Sequence, residues 1–187
     1  MKNHTCPWWL AYTFDHRLRR LIHNPEKLLG GQIKPGMTVL DLGCGMGFFS
    51  IGMAGLVGPE GRVISVDVQP DMLRVLLNRA KWAGLADRIQ PHLCRPDQLG
   101  LTAKADFALA FWMAHEINDR TAFFDQVRRC LRDGSRLLVV EPVIHVTSQD
   151  FRIVVDSIVA AGFVPSDQPR IRLSRAWLFE AGPRKQD

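Results

Sequence analysis

Glycines at alternating positions form the stretch of this sequence in which residue type and spacing point most directly to chemistry. A short apolar strand that contains Asp41 leads into Gly43, Gly45 and Gly47, and a helix is predicted to begin at Phe48. Glycine lets the backbone turn sharply and lets a ligand approach the main chain closely, because no Cβ intervenes. A strand, a glycine loop and a helix in this order predict a site for a nucleotide-like ligand.

The spacing within this loop separates two classes of ligand. A dinucleotide-binding loop has its third glycine where this chain has Phe48, whereas the third glycine here is Gly47. Asp41 precedes the first glycine by two residues and suits a ligand with a positive group better than one with a pyrophosphate. The loop therefore favours a ligand with a positive group over a dinucleotide. An oxidoreductase with a nicotinamide cofactor, or another nucleotide-binding module, remains the alternative.

A second acid, Asp67, ends the next predicted strand, 20 residues beyond Gly47. An acid at this position accepts hydrogen bonds from the hydroxyls of a ribose, each worth about 1.5–3 kcal/mol when charge-assisted. Pro70 follows and suits the first position of a helix. The alternative role of Asp67 is therefore that of an acid at a helix N-terminus.

The elements that position these residues alternate between strands and helices, which predicts an α/β fold with a parallel sheet. The strands are predicted at Met37–Leu42, Arg62–Asp67, Ile89–Leu93, Asp106–Phe111 and Arg136–Glu141. Pro91 cannot donate a hydrogen bond to a neighbouring strand, so the third strand is expected at an edge of the sheet. Alternation at Ile171/Leu173 and Trp177/Phe179 predicts a closing antiparallel pair, and residues 18–29 are predicted to be helical.

Composition limits the classes of protein to which the chain can belong. Its 187 residues are 47% hydrophobic and 23% charged, which predicts a single globular domain. The longest apolar run, Phe107–Ala114, is too short for a membrane-spanning helix, which needs about 20 residues. Four cysteines without metal-binding spacing predict a reduced, cytoplasmic protein. The net charge of +5 keeps RNA open as a partner, although the cluster Arg128/Arg129/Arg132 is expected on a solvated helix face.

The loop from Asp41 to Gly47, Asp67 and the segment ADFALAFWMAHEINDRTAFFDQVRRCLRDGSRLLVVEP together resemble the class I S-adenosylmethionine-dependent methyltransferases. Within that class the chain is similar to the ubiquinone/menaquinone-biosynthesis (type 11) branch. The resemblance covers about residues 34–182, with residues 1–33 as a helical and aromatic cap. It implies a Rossmann-like sheet of seven strands ordered 3-2-1-4-5-7-6, with strand 7 antiparallel and helices on both faces. It also implies S-adenosyl-L-methionine as the cofactor.

The resemblance assigns the methionine part of the cofactor to two groups of residues. Asp41 and the amides around the loop would hold its polar atoms, and carbonyls at the end of the fourth strand would accept from its α-ammonium group. These residues are Asp41, Gly43, Cys44, Gly45, Ala110 and Phe111.

The same resemblance assigns the nucleoside part of the cofactor to the end of the second strand. Asp67 would accept from the ribose hydroxyls, while Val68 and Met72 would pack against adenine. The family often has an acid after the third strand to meet the adenine amino group. Here Arg95 stands in that position, and Asp97 is the nearest acid, so adenine recognition is expected to use Asp97 or backbone atoms.

The methyl acceptor would meet residues after the fourth and fifth strands. His115 is the candidate base, and the alternatives are Glu116, His145, Glu141 and Asp15. An aromatic N-terminal segment, which includes Tyr12, is expected to cover the cleft, and Tyr12 is the second candidate catalytic residue. Aromatic and apolar walls predict an uncharged or apolar small molecule as the acceptor; the residues concerned are Trp8, Trp9, Tyr12, Phe14, Phe48, Trp112 and Met113.

Two absences at the end of the fourth strand narrow the reaction further. Residues 111–114 read Phe-Trp-Met-Ala rather than Asn/Asp-Pro-Pro-aromatic, which disfavours amino-group methylation of nucleic acid bases. The same positions hold no acid or amide, which disfavours a metal-assisted catechol O-methyltransferase, so no metal is predicted. RNA methylation and a non-catalytic cofactor-binding module remain alternatives to a small-molecule enzyme.

Overall fold

The computed structural model describes residues 17–183, and its strands form one seven-stranded sheet. In chain order they are β1 (Thr38–Leu42), β2 (Arg62–Asp67), β3 (Ile89–Leu93), β4 (Ala105–Phe111), β5 (Leu131–Pro142), β6 (Phe163–Asp167) and β7 (Ser174–Ala181). Their order in the sheet is β3-β2-β1-β4-β5-β7-β6, and β7 is antiparallel to both of its neighbours. The strand order implied by the resemblance is confirmed.

Helices and short turns connect these strands. The helices are α1 (Arg17–Ile22), α2 (Pro25–Leu29), α3 (Phe48–Val57), α4 (Pro70–Trp82), α5 (Arg120–Cys130) and α6 (Ser148–Ala160). Two single-turn 3₁₀ helices cover Ala86–Arg88 and Ala114–Glu116. Within residues 17–183, no helix combines the length and the apolar character needed to cross a bilayer. The chain divides into two compact units, one ending at Leu93 and the other beginning at Cys94.

The first unit contains three parallel strands, β1 to β3, with α1 to α4. The strands β1 and β2 are buried along nearly their whole length, as expected for strands covered on both faces. Only Ile89 of β3 is buried, and β3 is the edge strand of the sheet, as Pro91 predicted. Helix α4 buries one face formed by Met72, Leu73, Leu76 and Ala80.

The N-terminal helix predicted over residues 18–29 is interrupted. The structure contains α1 and α2, with a break at His23 and Asn24. Asn24 has extended backbone angles (φ −67°, ψ 115°), which fits the restriction that Pro25 places on the residue before it. The Asn24 side chain accepts from the Lys27 N–H at 2.9 Å and so caps the second helix. Pro25 therefore begins a second helix within the stretch that was predicted to form one.

The second unit contains β4 to β7 with α5 and α6. Strand β7 pairs antiparallel with β5 and β6, and residues 168–173 form no strand, so the strand predicted around Ile171 and Leu173 is wrong. Leu173 instead lies in the turn before β7 and has a left-handed backbone (φ 57°). Ile171 is buried while Leu173 is exposed, so their alternation does not mark one face of a strand. Strand β5 also begins at Leu131 rather than at the predicted Arg136.

Candidate functional site

The glycine loop between β1 and α3 has three residues with left-handed backbone angles. Gly43, Gly45 and Gly47 have φ values of 65°, 53° and 83°, which explains why glycine alternates through the loop. A Cβ on Gly47 would lie 2.8 Å from the Leu76 side chain, so α4 packs directly on the loop. A Cβ on Gly45 would meet no other described atom within 4 Å. The backbone at Gly45 is therefore open to close approach by a ligand.

Asp67 joins this loop to the end of β2. Its Oδ2 accepts the Gly45 N–H at 2.8 Å, and its Oδ1 accepts the Gln69 N–H at 2.9 Å, next to the start of α4. The side chain is buried, and burial raises its pKa against the opposing effect of these hydrogen bonds. A third backbone hydrogen bond, from Val68, also lowers this pKa. An ionised carboxylate offers about four acceptor positions, so about one remains after these three bonds. Asp67 is thus an acid at a helix start that retains the capacity to accept from one hydroxyl of a diol.

Asp41 lies at the end of a chain of buried hydroxyls. Ser50 donates to Asp41 Oδ2 at 2.5 Å, and Ser65 donates to Ser50 at 2.9 Å. Burial raises the pKa of Asp41 to about 7, and the charge of Asp67 acts in the same direction, whereas the Ser50 hydrogen bond and Arg19 oppose it. A positive ligand beside Asp41 would favour its ionised form.

Two of the loop amides expected to hold the methionine part of a cofactor are bonded within the protein. The Cys44 N–H donates to the Val66 carbonyl at 2.9 Å, and the Gly45 N–H donates to Asp67. Of the two residues expected beside adenine, Val68 is half-buried and Met72 is buried at the start of α4. Backbone N–H groups of the loop are therefore bonded to β2, at the Val66 carbonyl and the Asp67 carboxylate.

Arg19 is a residue near the loop to which the sequence assigned no role. Its guanidinium lies over the Phe48 ring, 4.7 Å from the centroid, and 5.7 Å from that of Phe49. This cation–π contact connects α1 to the first turn of α3. The two partners are 29 residues apart, and no local pattern in the sequence indicates the contact.

In the second unit, His115 and Glu141 form a hydrogen-bonded pair. His115 lies in the 3₁₀ turn after β4, and Glu141 lies near the end of the neighbouring strand β5. Glu141 is fully buried; its Oε2 is 2.5 Å from His115 Nδ1, and its Oε1 accepts the Ala114 N–H at 2.8 Å. The bond to Glu141 raises the pKa of His115, although burial opposes it. The sequence listed both residues as separate candidates, and the structure brings them together.

Arg120 fixes the other side of this turn. Its Nε donates to the Ala114 carbonyl at 3.1 Å, and one of its terminal nitrogens donates to the His115 carbonyl at 3.2 Å. The turn is thus held on two sides. The Glu141 carboxylate accepts from its Ala114 amide, and the Arg120 guanidinium donates to its carbonyls. The other predicted acids and bases nearby, Glu116 and His145, are exposed.

Trp112, directly after β4, has an uncommon backbone conformation. Its φ is 60°, which is unfavourable for a bulky residue, and its N–H donates to the Val140 carbonyl at 2.7 Å. The indole Nε1 donates to Ser174 Oγ at 3.0 Å, beside Leu173, the other described non-glycine residue with a positive φ. Strain of this kind persists where the surroundings hold it, and it is frequent at functional sites.

An apolar rim, formed by Val143, Ile144 and Leu173, lies next to these residues. All three side chains are exposed, Ile144 to 77%. The Val143 N–H donates to the Leu173 carbonyl at 3.1 Å, which joins the turn after β5 to the turn before β7. Exposed apolar side chains gathered in this way provide a surface for an apolar partner.

The remaining predicted site residues are placed as follows. Ala110 and Phe111 are buried at the end of β4, and Arg95 and Asp97 are exposed in the segment before it. Tyr12 and Asp15 lie outside the described residues. Among residues 17–183, no group of three His, Cys, Asp or Glu side chains is arranged to hold a metal ion.

Comparison with known proteins relates this geometry to a family. A family model described as a methyltransferase domain matches residues 33–164, which is more than half of the chain. Curated relatives include the ubiquinone/menaquinone biosynthesis C-methyltransferases UbiE of Hahella chejuensis and Shewanella frigidimarina. They are 30% and 28% identical over 111 and 109 residues, and each match covers 58% of this chain. The matches cover 44% and 43% of the relatives, so the chain spans less than half of their length.

Two methyltransferase-fold structures illustrate the similarity to solved proteins. A SAM-dependent methyltransferase from Aquifex aeolicus has a TM-score of 0.84 at 21% identity, covering 94% of this chain and 98% of that one. Fibrillarin from Aeropyrum pernix, in complex with bound S-adenosyl-L-methionine, has a TM-score of 0.64 at 21% identity, covering 79% and 68%. The protein therefore belongs to the methyltransferase domain family and has the fold of S-adenosylmethionine-dependent methyltransferases.

Proposed function

We propose that this protein transfers a methyl group from S-adenosylmethionine to a small, uncharged or apolar metabolite. The observation that carries the proposal is the left-handed glycine loop fastened to Asp67, with Asp41 buried at the end of the preceding strand. The loop keeps main chain open at Gly45, and Asp67 retains about one acceptor position for a ribose hydroxyl. Asp41 supplies negative charge for a cofactor that carries a sulfonium and an ammonium group.

The residues toward the cofactor keep the roles that the resemblance gives them. Asp67 would bind the ribose, and Val68 and Met72 would pack against adenine. The carbonyls of Ala110 and Phe111 would accept from the α-ammonium group. Bound there, the cofactor supplies an electrophilic methyl group, and the protein's contribution is to align that group with the acceptor.

The remaining loop residues, Asp41, Gly43, Cys44 and Gly45, would surround the methionine part of the cofactor. Because the amides of Cys44 and Gly45 already have protein partners, these two residues would act through close approach of the backbone rather than as free donors. Asp41 would act through its charge. Adenine recognition would use backbone atoms or the exposed Asp97.

Two features of the second unit support an apolar acceptor. The apolar rim offers exposed aliphatic surface, and Trp112, whose indole donates to Ser174 beside this rim, has a strained backbone. His115 is our candidate base, required when the acceptor must lose a proton. Tyr12, outside the described residues, remains a predicted catalytic residue, and comparing the turnover of Tyr12→Phe with wild type tests it.

Calorimetric titration tests the cofactor. We expect binding of S-adenosylmethionine and of S-adenosylhomocysteine, and no comparable binding of NADH. Tight binding of NADH without a response to either sulfur compound would contradict the proposal and favour an oxidoreductase. Incorporation of tritium from methyl-labelled cofactor into the low-mass fraction of a cell extract then distinguishes an enzyme from a non-catalytic cofactor-binding module.

The RNA alternative depends on the net charge of +5. Two arginines of the cluster on α5 and β5 are paired at the surface: Arg129 with Asp125 at 2.5 Å and Arg132 with Asp106 at 2.7 Å. The third, Arg128, is buried. The cluster is therefore largely neutralised, and we expect no submicromolar RNA binding that weakens steeply between about 50 and 200 mM salt. A gel shift measures this.

The cysteine pattern keeps the cytoplasm as our proposed location.

A further inference from the structure

We propose that Glu141 is the positioning residue for His115, and that the pair serves an acceptor whose reacting atom must lose a proton, such as a hydroxyl or an activated carbon. Glu141 would hold the proton on His115 Nδ1, so that Nε2 faces the acceptor as a base. This inference rests on the proposed methyl transfer and narrows the acceptor class.

The geometry of Glu141 supports this role. A fully buried carboxylate is costly unless its oxygens are bonded, and here each oxygen has a specific partner in the same turn. Oε1 accepts the Ala114 N–H, which fixes the carboxylate, and Oε2 faces His115 Nδ1 at 2.5 Å. Because an ionised carboxylate only accepts hydrogen bonds, Nδ1 must be the donor. The neutral ring then carries its free lone pair on Nε2.

The turn that carries His115 is fixed from both sides, so the ring is oriented before any acceptor arrives. Arg120 holds the carbonyls of Ala114 and His115, while Glu141 holds the Ala114 amide. The His115 side chain is 29% exposed, so one part of the ring is accessible while Nδ1 faces the buried acid.

Charged groups on several neighbouring elements affect the pKa of His115. Glu141 on β5 and Glu116 in the same turn raise the pKa of His115, and Arg120 on α5 lowers it. Helix α6 packs on the turn and contributes Asp150, whose charge interacts with Arg120. The balance favours the imidazolium, which makes Nε2 a stronger base than that of a free imidazole.

Arg175 lies opposite Glu141 on the neighbouring strand β7. Its guanidinium donates instead to the Val146 carbonyl at 2.7 Å and to Ser148 Oγ at 3.1 Å. The Glu141 carboxylate is therefore directed to the turn and the imidazole rather than to this arginine.

In the proposed step the acceptor atom gives its proton to His115 Nε2 and bonds to the methyl carbon. The bond between that carbon and sulfur breaks, and its electron pair stays on sulfur. Glu141 stabilises the resulting imidazolium, which later releases the proton to water. An acceptor with a lone pair already available, such as a neutral amine, can attack the methyl group without a base. His115 and Glu141 would not accelerate its methylation.

Nitrogen-15 NMR of the histidine rings in the full chain tests the pair. For wild type we expect the Nδ1–H tautomer of His115 at high pH and a titration midpoint above that of a free histidine. Glu141→Gln should move the midpoint down. Glu141→Asp, which keeps a carboxylate, should restore part of the shift, and Glu116→Gln, an exposed neighbouring acid, should move it less.

Several outcomes would overturn the proposal. They are an Nε2–H tautomer in wild type, or a midpoint that stays in place in a Glu141→Gln protein whose amide spectrum shows the native fold. Should Glu141→Gln fail to fold, the wild-type tautomer and the Glu141→Asp midpoint decide the matter.

The rate of methyl incorporation provides a second readout. With tritium-labelled cofactor and the low-mass fraction of a cell extract, the rate should rise with pH across the His115 midpoint. Glu141→Gln should move the rate profile together with the NMR midpoint; a profile that stays in place contradicts the proposal. Absence of incorporation by wild type would contradict the proposed function, while the NMR result would still decide the role of Glu141.

Discussion

Gly45 donates its backbone N–H to Asp67 Oδ2 across 2.8 Å, a contact that joins two segments 22 residues apart. The side chain expected to bind a ribose therefore also organises the glycine loop. Loop and acid are held together by the protein itself, so little ordering of the loop would be needed when a cofactor binds.

Replacing Asp67 should affect both roles. In Asp67→Ala the amides of Gly45 and Gln69 lose their acceptor, and a ribose would lose a charge-assisted bond. We expect cofactor affinity, measured by calorimetry, to fall by about 10- to 100-fold, which corresponds to about 1.5–3 kcal/mol. The melting temperature should also fall. Asp71→Ala, which removes an acid paired with Arg74 at the surface, is the control and should leave affinity unchanged. An unaltered dissociation constant in folded Asp67→Ala would restrict Asp67 to a structural role.

The raised pKa of Asp41 predicts a pH dependence of stability. Burial moves this pKa from 3.8 to about 7, so between these values the folded protein binds more protons than the unfolded chain. The contribution of Asp41 to the free energy of unfolding should therefore decrease as pH rises from about 4 to 7, and then level off. Urea unfolding of wild type and Asp41→Asn at pH 5 and pH 8 checks this. The variant's relative stability should be greater at pH 8, and a constant difference would contradict the prediction.

Cofactor binding should release a proton from Asp41. A positive ligand favours the ionised carboxylate, which is only partly populated near pH 7 in the free protein. Calorimetry at pH 6.5 in two buffers with different ionisation enthalpies should give different binding enthalpies for S-adenosylmethionine. In Asp41→Asn this buffer dependence should be smaller. Equal buffer dependence in both proteins would assign the proton to another group.

A matched pair of glycines in α3 tests how the N-terminal helices pack. A Cβ on Gly52 would lie 2.4 Å from Pro25 Cβ, whereas a Cβ on Gly55 would meet no other described atom within 4 Å. We expect Gly52→Ala to lower the free energy of unfolding by about 1–3 kcal/mol, because α2 and α3 must separate. Gly55→Ala should raise it by about 0.5–1 kcal/mol through helix propensity. Chemical unfolding measures both. A neutral Gly52→Ala would show that α2 is loosely packed.

Features that depend on local spacing could be predicted from the sequence. The glycine loop, Asp67 at the end of a strand and the edge position of β3 all follow from residues close together in the chain. The break before Pro25 also has a local cause, the restriction on the residue before proline, although one helix was predicted across it.

Features that depend on how strands align could not be predicted in the same way. The pair of His115 and Glu141 requires β4 and β5 to lie in parallel with Phe111 opposite Val140, which places residues 26 apart in contact. The contact of Arg19 with Phe48 likewise depends on where α1 packs. The sequence shows that each of these residues could take part in chemistry or in binding. Which residue it contacts depends on the tertiary structure.

The position of β7 in the sheet has a consequence for damaged chains. Although β7 is the last strand within residues 17–183, it lies between β5 and β6 and pairs with β5 from Arg136 to Pro142. A chain that stopped before Ser174 would not lose an edge strand; it would expose the hydrogen-bonding edge of a long strand whose residues 137–140 are apolar. Such an edge recruits strands from other molecules. We therefore expect chains that end before Ser174 to associate with one another through the exposed edge of β5.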